Sequence, residues 1–180
     1  MYARLPLALP RRIMLCAFSM AVFTFLGCAA TSPRWSPQPP APRVEATSAE
    51  LAKAFSGLVE AHNLEREKAE LPPLEVSETL NLVAKENADD MAATGRMSHQ
   101  GSDGSSPFDR MKSWGYQFQS AGENIAYGQQ SLEDLMSSWM KSPGHKANIL
   151  GKFTEMGAAY AIDADGTPYW CVTFGTPISR

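Results

Sequence analysis

The sequence predicts an α+β fold in which helices come first and antiparallel strands come last. Apolar residues recur at helical spacing between residues 51 and 91, as one face of a buried helix requires. Two apolar or aromatic runs, 156–162 and 169–174, flank Asp165-Gly166 near the end of the chain, which indicates a β-hairpin. This order favours helices packed on a small sheet.

The first two helices are indicated by their ends as well as by their spacing. Thr47 and Glu50 have capping-box spacing, and Ser77 is the cap expected for the second helix, which Gly95 closes. Pro72-Pro73 separates the two helices, because a proline disfavours helical geometry in the residue before it. The apolar stripes are Leu51, Phe55, Leu58, His62 and Glu65 in the first helix and Leu80, Ala84, Ala88 and Met91 in the second.

Shorter elements follow. Residues 96–106 form a loop rich in Gly and Ser, and Ser106-Pro107 opens a third helix that Gly115 ends. The segment 116–127 includes a strand. Ser131 with Asp134 begins a fourth helix that ends near Lys141, before a turn at 143–144.

Length and composition exclude several classes of protein. The 180 residues are 44% hydrophobic and 19% charged, which fits one ordinary domain and excludes a disordered chain. Residues 1–46 carry five Arg and one Glu, a net charge of +4, whereas residues 47–180 carry eleven basic and eighteen acidic residues, a net charge of −7. An acidic body repels phosphate backbones, so we expect no nucleic-acid partner.

The basic end predicts export. Arg11-Arg12 precede the uncharged run Ile13–Leu26, whose length suits a signal peptide and falls short of the roughly 20 residues that span a bilayer. The run ends at Gly27-Cys28-Ala29, which resembles a bacterial lipobox with Phe25 in place of the usual leucine. We therefore expect a leader at 1–28 and lipidation of Cys28. The alternative is an uncleaved signal anchor.

Three segments follow from this interpretation. Residues 29–46, with five of the chain's thirteen prolines, form a semi-rigid linker between the leader and a folded domain at 47–180. We expect an extracytoplasmic protein, either secreted or anchored by its lipid to a bacterial membrane, and Ala29 is compatible with sorting to an outer membrane. Cys16 lies in the leader, so only Cys171 remains in the domain, as a buried strand residue without an intradomain disulfide.

Three polar residues stand out as candidates for a site. His99 and His145 lie in predicted turns, and Glu123 interrupts a small, apolar stretch between them. Two imidazoles and a carboxylate suit either a metal site or acid–base catalysis. Their separations of 24 and 22 residues match no zinc-finger spacing, so structural hydrogen bonding is an equal alternative. In that alternative Glu123 anchors backbone amides or pairs with Arg110 or Lys146. His62 lies on the apolar stripe of the first helix and is expected to be structural.

A series of short motifs makes the chain recognisable. It resembles the bacterial branch of the CAP superfamily, which includes cysteine-rich secretory, antigen five and pathogenesis-related proteins, across residues 48–175. The resemblance implies a three-layer α–β–α sandwich with a small antiparallel sheet. The motifs include His62-Asn63, Leu71-Pro72-Pro73-Leu74, Met97-Ser98-His99, Gly122-Glu123-Asn124-Ile125-Ala126, Ser142-Pro143-Gly144-His145 and Phe153-Thr154-Glu155-Met156-Gly157.

The resemblance also implies a cleft lined by two histidines and two acidic residues, which binds a divalent metal in some members. His99 and Glu123 match two of these four positions. Lys152 occupies the place of the second histidine, and the second acid falls near Ser142. His145 is the natural substitute, so His99, His145 and Glu123 are the candidate ligands of a divalent cation such as zinc.

Three functions are compatible with these residues. The first is a binding module for a cell-envelope, lipid or glycan ligand, held directly or through a divalent cation. The second is a hydrolase in which Glu123 acts as general base beside His99 and His145. The third is a non-catalytic surface interaction protein. The altered cleft weighs against catalysis because acid–base geometry tolerates little displacement, and the sequence does not indicate an oligomeric state.

Overall fold

The computed structural model describes residues 48–178, with side chains described from Ser56 onward. The leader, the lipidation candidate Cys28, the linker and the cap residue Thr47 lie outside these residues. No helix between residues 48 and 178 is long and apolar enough to cross a membrane. The elements, in chain order, are α1 Ser48–Lys68, β1 Glu75–Val76, α2 Glu78–Thr94, α3 Pro107–Ser113, β2 Phe118–Tyr127, α4 Leu132–Lys141, α5 Pro143–Ile149, β3 Glu155–Ile162 and β4 Pro168–Pro177.

The predicted caps of the second, third and fourth helices are confirmed. The Ser77 hydroxyl accepts a hydrogen bond from the Leu80 N–H at the start of α2, and Gly95 ends that helix in the left-handed region at φ 65°. Ser106 forms a full capping box with Asp109 at the start of α3. Ser131 accepts from the Asp134 N–H at the start of α4.

The sheet has the order β1-β3-β4-β2. The predicted hairpin is β3–β4, and β2 pairs antiparallel with the other edge of β4, with Glu123 opposite Thr173. The expected sheet was wholly antiparallel, but β1 pairs parallel with β3 across two residues. The chain arrives at this edge extended after Pro72-Pro73, and the Glu75 N–H donates to the Thr154 carbonyl.

Helices cover both faces of the sheet, which confirms the three-layer sandwich. Helices α1, α4 and α5 pack on one face, and α2 packs on the other with α3 beside it. The first face includes Leu58, Leu135, Trp139, Ile149, Met156, Val172 and Phe174, and the second includes Leu80, Ala84, Ala88, Met91, Ile125 and Cys171.

One helix was not predicted. Pro143-Gly144 follows α4, as expected, but Pro143 also occupies the first position of α5, where a proline costs no helical hydrogen bond. His145 therefore lies in a short helix rather than in a turn.

The α2 layer approaches the sheet closely at Gly157. A Cβ atom at this position would lie 2.1 Å from the Leu80 carbonyl carbon and 2.3 Å from the Asn81 nitrogen. Two hydrogen bonds hold α2 at this distance: the Thr173 hydroxyl donates to the Leu80 carbonyl, and the Ala158 N–H donates to the Asn81 side chain. Because both sides of this contact are backbone, there is no flexible side chain that could move aside.

We therefore predict that Gly157→Ala destabilises the domain by about 3 kcal/mol or more, because α2 must move away from the sheet. Gly144→Ala is the matched control, since a Cβ at that helical position meets nothing within 4 Å. The control variant should equal the wild type or exceed its stability by up to about 1 kcal/mol. Urea denaturation measures both, and similar stabilities for the two variants would contradict the close contact.

His62 lies in the core between Trp139 and Phe174, as its predicted structural role requires. Its Nδ1 is 2.7 Å from the Leu58 carbonyl, and its ring centroid is 5.6 Å from that of Trp139. Burial is the main reason that its pKa falls from 6.5 to about 4, and the Leu58 hydrogen bond opposes that shift. The imidazole is therefore neutral in the folded protein at pH 7.

This buried imidazole predicts a loss of stability in mild acid. Unfolding restores the ordinary pKa, so between pH 6.5 and pH 4 the unfolded chain binds a proton that the folded chain does not. The stability contribution of the neutral imidazole is full above pH 6.5, and about 3 kcal/mol is lost by pH 4. Denaturation from pH 7 to pH 4 should show a smaller loss in His62→Leu than in the wild type. Val172→Ala weakens the same core but keeps every titratable group, so this control should lose as much stability as the wild type. Equal losses in the wild type and in His62→Leu would contradict the assignment.

Candidate functional site

Two of the three candidate residues are in direct contact. Glu123 lies on β2, on the sheet face that α2 covers, and the loop between α2 and α3 places His99 over it. The His99 Nδ1 is 2.7 Å from Glu123 Oε1. The carboxylate side chain is 2% exposed, whereas the imidazole is 54% exposed. The pair therefore combines a half-exposed imidazole with a buried carboxylate that holds it through Nδ1.

Both oxygens of Glu123 are already hydrogen-bonded. Oε1 also accepts from the Asn87 amide at 3.4 Å. Oε2 lies 2.9 Å from the Arg110 Nη2, in an ion pair whose two side chains are each 2% exposed. A buried carboxylate is costly unless it is paired, and Arg110 supplies the opposite charge. The contacts make Glu123 the residue that orients His99 rather than one that reaches solvent itself.

Cys171 lies behind the carboxylate. Its thiol donates to Glu123 Oε2 at 3.5 Å, and the Asn87 amide lies 3.9 Å from the sulfur. Burial, together with the negative charge of Glu123, raises the pKa of Cys171 well above its usual range. The predicted assignment of Cys171 as a buried strand residue is confirmed, and it remains a neutral thiol.

His145 lies on α5, which packs on the other face of the sheet from Glu123. The Asn124 amide, which is fully buried on β2, donates to the His145 carbonyl at 3.1 Å. Asn148, on α5, donates to the Asn124 side chain at 2.9 Å and to the Glu123 carbonyl at 3.2 Å. These bonds fix α5 along the free edge of β2, where it carries His145.

The electrostatics link the two site histidines. Burial lowers the pKa of His145, and the positive charge that His99 can carry lowers it further. Its ring centroid lies 6.1 Å from that of the buried Trp139. A lowered pKa favours the neutral imidazole, the form that ligates metals.

These residues fit a metal only in part. Between residues 48 and 178, no group of three or more His, Cys, Asp or Glu side chains is arranged to hold a metal ion. His99 and His145 offer two imidazole donors, while Glu123 is committed to its hydrogen bonds. Ordinary zinc sites use three or four protein ligands. A cation here would therefore need further ligands from water or from a bound molecule.

The altered family positions lie outside this cluster of contacts. Lys152 is exposed, and its carbonyl accepts from the Thr176 hydroxyl. Ser142 joins α4 to α5 at a cap position and makes no side-chain cap hydrogen bond.

Sequence reasoning missed Asn87 as a member of the site, and it offered Arg110 only as one of two alternative ion-pair partners of Glu123, beside Lys146. Asn87 and Arg110 lie on helices and are almost fully buried. Arg110 precedes the core residue Met111, so its position in α3 indicates an inward-facing charge. A charged residue beside an apolar core position was the available signal, but it does not identify the partner.

Comparison with known proteins shows what the chain is similar to. Residues 59–174 match the model of the cysteine-rich secretory protein family, CAP. The uncharacterized protein YkwD of Bacillus subtilis (strain 168) is 44% identical over 104 residues, which cover 57% of this chain and 40% of that relative, so the chain spans less than half of that relative's length. An uncharacterized protein of Borreliella burgdorferi is 29% identical over 111 residues, which cover 61% of this chain and 70% of the relative.

Solved structures show the same fold. An outer surface protein from Borrelia burgdorferi has a TM-score of 0.64 and 26% identity, covering 68% of this chain and 92% of that one. An extracellular protein with an SCP domain from Bacillus anthracis has a TM-score of 0.66 and 23% identity, covering 73% of this chain and 44% of that one. The family match covers most of the folded domain, and the α–β–α sandwich and the His99–Glu123 pair are in place. The chain therefore belongs to the CAP, or cysteine-rich secretory protein, family.

Proposed function

We propose that this protein is an extracytoplasmic binding domain whose His99–His145 surface takes up a cell-envelope ligand of lipid or glycan type. One observation carries the proposal. His99 is half exposed, yet its orientation is fixed by a carboxylate that is itself buried and ion-paired. A surface histidine without a role in binding has no need of such support, because surface polar residues are ordinarily solvated by water.

The chemistry of the two imidazoles supports a divalent cation as part of the binding site. The bond from Nδ1 to Glu123 leaves Nε2 of His99 as the nitrogen available to a ligand. His145 would contribute the second imidazole. A metal bound by these two residues would act as a Lewis acid and supply positive charge for oxygen atoms of a ligand. With only two protein donors, the open coordination positions suit sharing of the cation with that ligand.

Known candidates for a nucleophile are engaged elsewhere, which favours binding over catalysis. The Ser98 hydroxyl donates to the Gln100 carbonyl at 2.8 Å. Cys171 is enclosed in the core with a raised pKa. Binding needs no nucleophile and is therefore compatible with these contacts.

Zinc titration tests the cation. At a zinc concentration about a hundred times the dissociation constant, the full chain in detergent should gain about 2.7 kcal/mol of stability. His99→Ala and His145→Ala should each remove most of that gain, because each removes one of two donors. Thermal unfolding and isothermal titration calorimetry measure the effect. Gln100→Ala, which alters the exposed neighbour of His99, is the matched control and should respond like the wild type.

The ligand is tested separately with purified cell-wall glycan and with phospholipid vesicles, each with and without zinc. Binding that is lost in His99→Ala but kept in Gln100→Ala supports the proposal. If zinc neither binds to the wild type nor raises its stability, the proposed cation is contradicted. Binding to neither probe, or equal binding by His99→Ala and the wild type, contradicts the ligand surface.

A hydrolase is the second candidate, and the His99–Glu123 pair is the observation that favours it. A histidine oriented through Nδ1 by a carboxylate is the arrangement of a general base with its supporting acid. Since Glu123 is enclosed, His99 would contact the attacking water. This candidate requires hydrolysis of an envelope polymer that His99→Ala abolishes without loss of folding.

We also propose that the domain is tethered by a lipid on Cys28. The lipobox-like sequence supports it, as does the surface location named for the Borrelia burgdorferi structure. Cys28→Ser should move the protein from the membrane fraction to the soluble fraction and abolish labelling by a radioactive fatty acid. Cys16→Ser, in the predicted leader, is the control and should stay in the membrane. Unchanged fractionation of Cys28→Ser would contradict the anchor.

A further inference from the structure

We propose that one face of α2, with the tryptophan and the arginine beside it, binds a neutral glycan of acetamido sugars. This α2 face consists of Glu86, Asp90 and Thr94 with Trp114 and Arg96. The inference deepens the proposed function, because it specifies a glycan rather than a lipid and adds a second contact surface beside His99. It rests on the proposed function only for the expectation that the same glycan also contacts His99.

A polar cavity lies between the end of α2 and the loop at 96–104. It encloses about 240 Å³, less than the roughly 300 Å³ at which pockets for drug-sized ligands begin, and this volume suits one unit of a longer chain. The lining is polar or glycine throughout, with Asp90 and Thr94 from α2 and Arg96, Ser98 and Ser102 from the loop. A lipid acyl chain would cover these polar groups without hydrogen bonds, which is unfavourable. Sugar hydroxyl and amide groups satisfy them.

The loop wall of this cavity is hydrogen-bonded within itself. The Ser98 hydroxyl donates to the Gln100 carbonyl at 2.8 Å, and the Gln100 side chain donates to the Gly104 carbonyl at 3.2 Å. Ser98 and Gln100 are also the chain neighbours of His99, so the cavity adjoins the residue that carries the imidazole. The main hydrogen-bonding capacity that remains for a ligand is therefore on the other lining side chains.

Asp90 and Arg96 supply complementary groups to the cavity. Asp90 accepts from the Ser102 N–H at 3.0 Å and from the Ser102 hydroxyl, which uses two of the roughly four acceptor positions of a carboxylate. The Arg96 guanidinium is exposed, and it has no hydrogen-bond or ion-pair partner among the side chains described from Ser56 onward. An acetamido group offers an N–H to a carboxylate and a carbonyl to a guanidinium, so it matches both residues.

Trp114 adds an aromatic ring to the same face of α2. It is 45% exposed, and its Nε1 donates to Glu86 Oε2 at 2.5 Å, which fixes the indole. Glu86, Asp90 and Thr94 recur at intervals of four residues, so they lie on one face of the helix. The indole therefore contacts this face one turn, about 6 Å along the axis, before the cavity. A pyranose ring packs its apolar side on an indole while its hydroxyl groups keep polar contacts.

The charge of the domain favours a neutral glycan. Residues 47–180 carry a net charge of −7, which repels acidic polysaccharides and the phosphate groups of anionic lipids. A neutral sugar chain avoids this repulsion. Arg96 does not require an anion as its partner, because a guanidinium also donates to carbonyl oxygens, as the guanidinium of Arg66 does to the Ile149 carbonyl.

The test is isothermal titration calorimetry of the full chain in a sugar-free detergent, with and without zinc. The probe is chitotetraose, a neutral tetramer of N-acetylglucosamine, and cellotetraose is the matched tetramer without acetamido groups. The wild type should bind chitotetraose more tightly. Trp114→Ala should weaken that binding at least about tenfold, as truncation of a contacting tryptophan ordinarily does. Arg96→Gln should weaken it at least about fivefold and remove the preference over cellotetraose.

Matched control variants remove similar groups elsewhere. Phe108→Ala removes a ring that is 44% exposed at the start of α3, and Lys152→Gln removes an exposed cation before β3, so both should bind like the wild type. Trp114→Phe keeps a flat ring and should retain most of the affinity. Circular dichroism checks folding. Arg96→Gln breaks no contact among the described side chains, so the test does not depend on the folding of Trp114→Ala.

Equal binding of chitotetraose by the wild type, Arg96→Gln and folded Trp114→Ala would overturn the proposal. Absence of chitotetraose binding would also overturn it, as would tighter binding to cellotetraose, polygalacturonate or phosphatidylglycerol vesicles. His99→Ala separates the inference from the proposed function. If His99→Ala binds like the wild type while Arg96→Gln does not, the α2 face binds the glycan and the role of His99 fails. If His99→Ala alone loses binding, the role of His99 stands and the α2 face is overturned.

Discussion

The buried ion pair between Glu123 and Arg110 is the interaction on which the site depends. Taking two charges out of water costs several kcal/mol for each ion, and their mutual attraction offsets this only when geometry and further hydrogen bonds are good. Here the further bonds come from His99 and Asn87 to the carboxylate and from Arg110 to the loop. The polar cluster therefore joins α2, α3, the loop between them and β2 around one negative charge.

The free edge of β2 explains how α5, the helix of His145, is held against this strand. An edge strand presents unpaired backbone groups. Here the Glu123 carbonyl accepts from Asn148, and the Ile125 carbonyl accepts from Trp139 at 3.3 Å. Sealing the edge therefore brings α4 and α5 against β2, and His145 comes with them. The same strand presents Glu123 to one face and supports α5 along its edge.

Much of the fold could be predicted because its signals are local. The caps at Ser77, Ser106 and Ser131 depend only on neighbouring residues, and the hairpin depends on two apolar runs and a turn. Strand β1 has two residues, which is too short for any periodic pattern to appear. Helix α5 was missed because Pro143 both ends one helix and suits the first position of the next.

The site was harder to predict than the fold. Family resemblance placed His99 and Glu123 in one cleft, but 24 residues of chain separate them, so their spacing alone does not predict the contact. For a related reason the sequence could not choose between Arg110 and Lys146 as the partner of Glu123, because only tertiary packing brings one of the two charges to β2.

Polar contacts also take over part of the role that disulfides have in many small exported domains. Within residues 48–178 the structure contains one cysteine, and it is a free thiol. The buried Arg66 on α1 donates instead to the carbonyls of Pro72, Ile149, Gly151 and Phe153, at distances from 2.8 to 3.3 Å. Four carbonyls on one guanidinium tie the end of α1 to the end of α5 and to the segment that enters β3. Since α5 carries His145, this second buried arginine supports the site from the opposite face of the sheet. Two buried arginines thus support the two histidine-bearing segments: Arg110 holds the loop of His99 and its carboxylate partner, and Arg66 holds the end of the helix that carries His145.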